Sequence, residues 1–366
     1  MTSASPPAAP FQVTVQPSGR SFSVDAGETL LAAAIRQGIG LPYGCKDGAC
    51  GSCKCRKLEG QVQMREHQSK ALSAQEEAAG LVLTCSATAL SDVVLESRQV
   101  TDESAFPVRK MPSRVQSLHK MSHDVMLVRL QLPANDTMRY HAGQYVEFIL
   151  RDGARRSYSM ANAPHTLAAA PADATSAQAP VLPPPPVVEL HIRHMPGGKF
   201  TEHVFNTMKE KEILRVEGPY GSFFLREDSD KPIVLVASGT GFAPIKAVIE
   251  HMQGITRPTT LYWGGRRPAD LYLDDWVRER CAQMPQLRYV PVVSNALPED
   301  GWSGRTGFVH KAVLEDFPDL SGHQVYACGA PIVVDSARAD YSAQAALPPE
   351  EFFADSFTSE ADKHAG

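Results

Sequence analysis

The sequence predicts a multidomain chain: a small α+β domain, then an antiparallel β-barrel, then an α/β domain built on a doubly wound parallel sheet. Three observations predict this. Residues 11–100 set period-two segments around one short helix and a cysteine-rich loop. Between 113 and 226 short alternating segments succeed one another with turn signals between them. From 227 the pattern changes to continuous apolar runs separated by helical stretches. A length of 366 residues accommodates two or three domains. An apolar fraction of 43% with 21% charged residues is ordinary for a soluble globular protein. The net charge of −5 gives no electrostatic case for nucleic acid. No apolar run is long enough to read as a membrane-spanning helix. Met1 to Pro10 lacks the basic-then-apolar order of a targeting peptide and reads as a short disordered tail. Seven cysteines, an odd number with no secretion signal, argue against a disulfide framework and for a reducing cytoplasm.

In the first domain, Phe11 to Val15 and Ser21 to Val24 alternate around Pro17-Ser18-Gly19 and read as a β-hairpin. Glu28 to Gln37 is rich in Ala and Leu, and Gly38 stops that helix. The stretch Gly44 to Cys53 comes next, with Cys45, Cys50 and Cys53 at C-x4-C-x2-C spacing among three glycines. Cys85 stands further on, after a capping box at Ser73–Glu76 and a strand-like Leu81 to Cys85; Val93 to Leu95 closes the domain. Three thiolates in one tight loop and a fourth from a distant element is the plant-type [2Fe–2S] pattern. Glycines there permit φ > 0 and close approach of N–H groups to the sulfurs. A zinc site would show a second C-x2-C pair or histidines, and none is present. The whole segment resembles the plant-type ferredoxin β-grasp domain. That resemblance implies that Cys45 and Cys50 hold one iron and Cys53 and Cys85 the other. Cys55 matches no ligand position and reads as a spare thiol.

Thr101 to Pro112 mixes charges with two prolines and reads as a linker. The barrel is expected over 113–226, with strands at Val125 to Leu132, Gly143 to Leu150, Arg155 to Met160 and Val187 to Met195. Leu167 to Pro186, rich in Ala and Pro, reads as a low-complexity surface excursion. Arg155-Arg156-Ser157-Tyr158-Ser159-Met160 is followed later by Gly197-Gly198-Lys199-Phe200-Thr201. Together these resemble the R-x-Y-S and G-G-x-x-S/T motifs of the ferredoxin–NADP reductase superfamily, whose barrel binds FAD. The resemblance implies that Arg156 neutralises the pyrophosphate, with Ser157 beside it in the motif, and that Tyr158 offers its ring to the flavin. It places the Ser159 hydroxyl near flavin N5, and Gly197, Gly198, Lys199 and Thr201 at a phosphate-binding helix start over Thr201 to Met208. His191, Ile192 and Arg193 fall where the family contacts the rest of FAD.

The last domain, 227–366, opens with the buried strand pattern Pro232 to Ala237, then Gly239-Thr240-Gly241-Phe242-Ala243-Pro244 and an amphipathic helix to about Met252. Strands are expected at Thr259 to Trp263, Arg288 to Val293 and Gln324 to Cys328. G-x-G-x-x-P is a weak dinucleotide signal by itself. Cys328-Gly329-Ala330-Pro331 resembles the C-G-x-P motif of the same reductases, which places Cys328 beside the nicotinamide; a buried core thiol is the plainer reading. Cys281 gets that plainer reading. The ending Phe353-Ala354-Asp355-Ser356-Phe357 resembles the family's acidic–aromatic C-terminus, with Phe357 over the flavin and Asp355 near N5. It departs from the plant enzymes in carrying Phe for Tyr and in continuing for nine more residues. Asn295 comes after Ser294 where NADP-specific relatives often carry arginine, which favours NADH; Arg266, Arg267 and Arg305 leave NADPH open.

The domain order resembles reductases with an N-terminal ferredoxin domain, and the motif wording is nearest to the CDP-6-deoxy-Δ3,4-glucoseen reductase-like members. The resemblance implies an NADH-dependent reductase that moves electrons from NADH through FAD to the [2Fe–2S] cluster and on to a dehydratase-type or oxygenase partner. The alternatives are the reductase component of an aromatic-ring dioxygenase or of a phenol- or methane-type monooxygenase, and a non-catalytic redox sensor.

Overall fold

The computed structural model describes residues 10–104, 106–134, 138–167 and 185–358. The tail expected before Pro10, nearly all of the Ala/Pro excursion and the residues after Thr358 lie outside the described residues. The chain divides into two units: residues up to Pro107 together with those from Asp355 onward, and Val108–Ala354. Among the described residues no helix is long and apolar enough to cross a membrane.

In the first unit β1 (Phe11–Gln16) and β2 (Arg20–Val24) form the expected hairpin, with Phe11 opposite Val24 and Val15 opposite Arg20. Alternation turns Val13, Val15, Phe22 and Val24 inward, where Leu30, Leu31, Ala33 and Ala34 of α1 (Leu30–Arg36) are also buried. The helix starts later than its composition suggests because Thr29 caps it, its hydroxyl accepting from Ala32 N. It ends where Gly38 turns to φ 71°. After β3 (Ile39–Gly40) and the cysteine loop come β4 (Lys54–Glu59), β5 (Val62–Met64), α2 (Ala74–Ala78), β6 (Leu81–Leu83), β7 (Ala87–Ala89), β8 (Val93–Glu96) and β9 (Thr101–Asp102). The Ser73–Glu76 capping box is formed in both directions. The main sheet runs β2-β1-β8-β4-β6, with β8 returning parallel to β1. β9 pairs with β3, so the stretch read as linker begins inside this unit.

The second unit opens with β10 (Arg109–Lys120), and then β11 (Val125–Gln131), β12 (Tyr145–Ile149), β13 (Arg155–Ser159), β14 (Val187–Arg193), α3 (Lys199–Asn206) and β15 (Ile213–Tyr220). The strand order is β13-β12-β15-β10-β11-β14, and its pairings are antiparallel. A bridge between Met160 and Leu190 joins the two outer strands and closes the barrel. Val115, Val128, Leu130, Phe148, Met160, Leu190, Ile192, Phe200 and Val216 fill it. β10 and β15 are additions to the expected strands. β10 is hidden by a proline, by Ser113 at an inward position and by a bulge between Val115 and Ser117 that breaks the alternation. Arg109–Pro112, read as linker, pairs with β15.

The remainder alternates strand and helix: β16 (Ile233–Ser238), α4 (Phe242–His251), β17 (Thr259–Gly265), α5 (Asp274–Gln283), β18 (Leu287–Val293), β19 (Arg305–Thr306), α6 (Val309–Asp316), β20 (Gln324–Gly329), α7 (Pro331–Gln344) and β21 (Phe352–Ser356). The order β19-β18-β17-β16-β20-β21 reverses at β16, and the β19–β18–β17–β16–β20 pairings are parallel. A nucleotide is expected at the carboxyl ends of such strands, beside the switch point. One expectation is corrected here. α4 is not amphipathic in the sense of a solvated face, because Phe242 through Ile249 are all buried.

Candidate functional site

The cysteine loop takes left-handed backbone at Lys46 (φ 67°), Gly48 (φ 77°) and Gly51 (φ 72°). A Cβ on Gly48 would meet His67 Cβ and Ser86 Oγ at 2.9 Å, so the loop closes only around glycine. The thiols fall into two pairs. Cys53 Sγ lies 3.2 Å from Cys85 Sγ, and Cys45 shares a hydrogen bond with Cys50, whose sulfur also accepts from Cys45 N at 3.4 Å. In each pair the shared bond pushes one thiol up and the other down: Cys45 and Cys53 rise, Cys50 and Cys85 fall. Among the described residues no three His, Cys, Asp or Glu groups gather as a single-ion site. Two pairs of soft sulfurs, Cys53 and Cys85 buried and Cys45 and Cys50 half-buried, suit a binuclear iron–sulfide cluster. Cys55 is buried in β4, its thiol pushed up to about 12 by burial, which fits a spare core thiol. Cys281, half-buried on α5, is also raised by burial.

On β13 the two arginines separate by strand alternation. Arg155 is held by Glu147 at 2.7 Å and by Glu217, and serves the barrel wall. Arg156 points the other way, donating from Nη1 to the Arg155 carbonyl at 2.7 Å. The Tyr158 ring leans on Phe148 (5.8 Å between centroids) and on Phe200 of α3 (5.5 Å). Ser159 is buried and Ser157 is exposed, the latter near Glu147 at 3.5 Å. α3 is capped by Gly198 and starts at Lys199, two residues before the expected start. A Cβ on Gly198 would crowd Thr201 Oγ1 (2.7 Å) and the Met195 carbonyl (2.9 Å), and Gly197 has φ 78°. That is a main-chain cradle of the kind a phosphate needs. The Thr201 hydroxyl closes the turn by donating to Met195 O at 2.9 Å, and Lys199 pairs with Asp152 at 2.9 Å. Both side chains are thus engaged in shaping the cradle.

The His191-Ile192-Arg193 group does not act as one surface. Ile192 lies in the barrel core. His191 is buried with both ring nitrogens engaged, Nε2 with Glu189 (3.2 Å) and Nδ1 with the Tyr272 hydroxyl (2.9 Å). Only Arg193 keeps an exposed side chain, paired with Asp124 at 2.7 Å. Period-two alternation along β14 requires this split.

The glycine loop and the C-G motif interlock. Gly239–Gly241 forms a single turn leading into α4, with Thr240 and Pro244 buried behind it. A Cβ on Gly241 would fall on the Cys328 carbonyl, 2.5 Å from its carbon and 2.6 Å from Gly329 Cα. Gly329, at φ 132°, leaves no room for a Cβ beside Ser238, whose hydroxyl accepts from Ala330 N at 2.9 Å. Trp263 stacks on Phe242 (3.9 Å) and donates to the Gly239 carbonyl (3.1 Å). Sequence reasoning gave Trp263 no role here. Its signal was position: an indole at the end of the strand next to the glycine loop. Cys328 is buried at the end of β20. Asp355, buried, and Phe357, half-buried, group with the first unit rather than with Ser159 and Cys328.

Paired thiols on one unit, and a phosphate cradle with an interlocked glycine turn on the other, define an iron–sulfur flavoprotein oxidoreductase. Family models match in the same order: a 2Fe-2S iron-sulfur cluster binding domain over 13–90, an oxidoreductase FAD-binding domain over 112–169 and 186–225, and an oxidoreductase NAD-binding domain over 235–339. The chain belongs to the ferredoxin–NAD(P) reductase family, in the group with an N-terminal ferredoxin domain. It is 38% identical, over 95% of its length and 98% of the relative's, to CDP-6-deoxy-L-threo-D-glycero-4-hexulose-3-dehydrase reductase of Yersinia pestis. It is 34% identical to terephthalate 1,2-dioxygenase reductase component 1 of a Comamonas species, over 94% of this chain and 97% of that one. Among solved structures, the Amycolatopsis cytochrome P450 reductase GcoB matches 95% of this chain and 99% of its own, with TM-score 0.74 and 31% identity. The chain is thus an NAD(P)H-dependent reductase. With FAD and a [2Fe–2S] cluster as its relay, it converts a two-electron hydride donor into single electrons for an accepting partner.

Proposed function

We propose that this chain is the NADH-dependent reductase of a dehydratase-type partner that acts on a nucleotide-linked deoxysugar. The observation that carries the reading is the 38% identity, end to end, to a reductase named for such a dehydrase. A second reading, an oxygenase as acceptor, is supported by the end-to-end likeness to the cytochrome P450 reductase and to the dioxygenase component. Protein reduced with NADH is offered purified acceptors of both kinds. Rapid reoxidation by the dehydratase-type acceptor alone supports the first reading, and reoxidation by an oxygenase alone supports the second. The three cysteines outside the cluster, Cys55, Cys281 and Cys328, form no disulfide and suit a reducing compartment, the cytoplasm.

In this reading Cys45 and Cys50 hold one iron and Cys53 and Cys85 the other. Arg156 and the Gly197–Gly198 main chain hold the flavin's phosphates, Tyr158 covers its ring, and Ser159 bonds at N5. Gly239, Thr240, Gly241 and Gly329 shape the nicotinamide nucleotide's seat, and Cys328 borders the nicotinamide. Asp355 and Phe357 take the roles that the family's acidic–aromatic ending implies.

The choice of NADH rests on the arginines. Arg267 is gripped by both carboxylate oxygens of Asp300, at 2.6 and 2.7 Å, with Glu299 at 3.8 Å. Arg305 is paired with Glu315 and Asp316. A 2′-phosphate brought there meets carboxylates as well as guanidinium groups. The expected result is a kcat/KM for NADH at least about tenfold above that for NADPH, a gap of about 1.4 kcal/mol. Equal use of the two coenzymes refutes the assignment.

The rim of the cysteine loop is the proposed outlet to the partner. Lys46→Gln and Asp47→Asn should change partner reduction and its salt dependence, by a few-fold on the order of rim-charge effects elsewhere. NADH–ferricyanide turnover and iron content are expected to hold. If both rates fall together, the outlet lies elsewhere.

A further inference from the structure

α4 leaves directly from the Gly239–Gly241 turn, and its one lysine and one glutamate are its least expected feature. Lys246 is 6% exposed. Its ammonium donates to Glu250 Oε1 at 2.7 Å and to the Ala161 carbonyl at 3.0 Å, and forms an ion pair with Glu189 Oε1 at 3.2 Å. The other oxygen of Glu250 accepts from Ala163 N at 2.9 Å. Helix α4 therefore grips the main chain at both Ala161 and Ala163, once as donor and once as acceptor. That segment begins within two residues of Ser159, and Ala161 N in turn donates to the Glu189 carbonyl at 2.7 Å. Ala142, Ala163 and Ala247 fill the seam with the smallest side chains, which lets helix and barrel approach closely.

The charges in the seam are balanced. Glu189 faces Lys246, His191 and Arg129, the last at 3.2 Å. Burial alone would raise its carboxyl, but the His191 hydrogen bond and the Lys246 charge outweigh this and hold it below the usual carboxylate range. Burial lowers the pKa of His191 against the pull of Glu189, and its two ring nitrogens are engaged by Glu189 and by the Tyr272 hydroxyl. Tyr272 stands edge-on to Trp263 at 5.2 Å, and Trp263 holds the Gly239 carbonyl. The seam is thus tied to the glycine loop at both ends of the network.

We propose that Lys246 and Glu250 are positioning residues for hydride transfer. They fix the register between the nucleotide loop and the Ser159–Ala163 strand end, and so the distance between nicotinamide C4 and flavin N5. Hydride transfer carries two electrons and one proton as a unit from C4 to N5, leaving the oxidised nicotinamide. It is steep in distance, so a shift near 1 Å is costly. Neither residue is close enough in role to the reacting atoms to be called catalytic; each acts through main chain.

The test uses the holoprotein in stopped-flow at saturating NADH, beside hydrogen exchange at 159–163. Lys246→Met and Glu250→Leu are expected to slow flavin reduction at least about tenfold, with unchanged flavin content, flavin midpoint potential and NADH affinity. Amide exchange at Ala161 and Ala163 should quicken in both. Lys246→Arg keeps the donor and Glu250→Gln keeps the acceptor for Ala163 N, and each should recover the rate to within about threefold. If a single variant fails to fold, the Lys246→Met/Glu250→Leu pair, which leaves no unpaired charge between them, takes its place with the same expectations. Flavin reduction at the unaltered rate overturns the proposal. So does a loss that simply tracks flavin content or melting temperature, since that is the mark of a structural role. Bleaching of the unaltered protein by NADH is the control, so failure of the reductase assignment itself is seen separately.

Discussion

Gly241→Ala is expected to lower NADH-driven flavin reduction by about two orders of magnitude while flavin and iron stay bound. The added methyl would land on the main chain of Cys328 and Gly329, not on a side chain that can rotate away. Both partners belong to the buried carboxyl end of β20, which is locked to β16 through a parallel ladder from Ile233–Gln324 to Ala237–Cys328. Room can come only by moving the start of α4 away from the sheet. Such overpacking costs about 1–3 kcal/mol in stability. The larger effect falls on geometry, because the displaced turn is the proposed seat of the nucleotide. Rapid-mixing absorbance at the flavin band measures the rate, and flavin and iron analysis confirms loading. A variant that reduces its flavin at the original rate would show that the interlock does not position the nucleotide.

Cys85→Ser is the second. The substitution removes the one proposed ligand that comes from outside the loop and leaves Cys53 without the sulfur 3.2 Å away. A serine hydroxyl is a far poorer ligand for iron than a thiolate. Cluster absorbance and iron are expected to fall to a small fraction, and partner reduction by about a hundredfold or more. Flavin reduction by NADH should persist, because Ser159, Gly241 and Cys328 belong to the other unit. Cys55→Ser is the matched control, expected to keep its iron. Loss of iron in Cys55→Ser with retention in Cys85→Ser would exchange the two assignments.

The cysteine spacing was legible because cluster geometry dictates it, and the apolar run Ile233 to Ala237 because a strand covered on both faces tolerates little else. The features that escaped did so for physical reasons too. β10 carries a proline, a serine facing inward and a bulge, and each erases the alternation by which a strand is seen. In β13 the sequence offered two adjacent arginines; alternation plus the carboxylates of Glu147 and Glu217, distant in sequence, decided which one stays with the wall. The motif names His191, Ile192 and Arg193 alike, while the fold engages both ring nitrogens of the first and sets the second in the core. Most instructive is α4. A Lys and a Glu four residues apart normally mark a solvated face. Here they mark the seam, because their partners Glu189, Ala161 and Ala163 come from a strand and a loop no local pattern connects to the helix.

The collision that Gly241 and Gly329 avoid also bears on how this family can diversify. Two backbones in contact cannot drift one residue at a time, since any side chain at either position needs simultaneous retreat of the other segment. Variation must therefore enter around the interlock. Arg266 to Asp270 and Ser294 to Asp300 offer that freedom: both come after strand ends, carry solvent-reaching side chains and are joined by a main-chain bond from Asn295 N to the Arg266 carbonyl at 2.9 Å. New coenzyme preferences would arise by exchange in those two loops, over a hydride-transfer geometry that the glycines keep from changing.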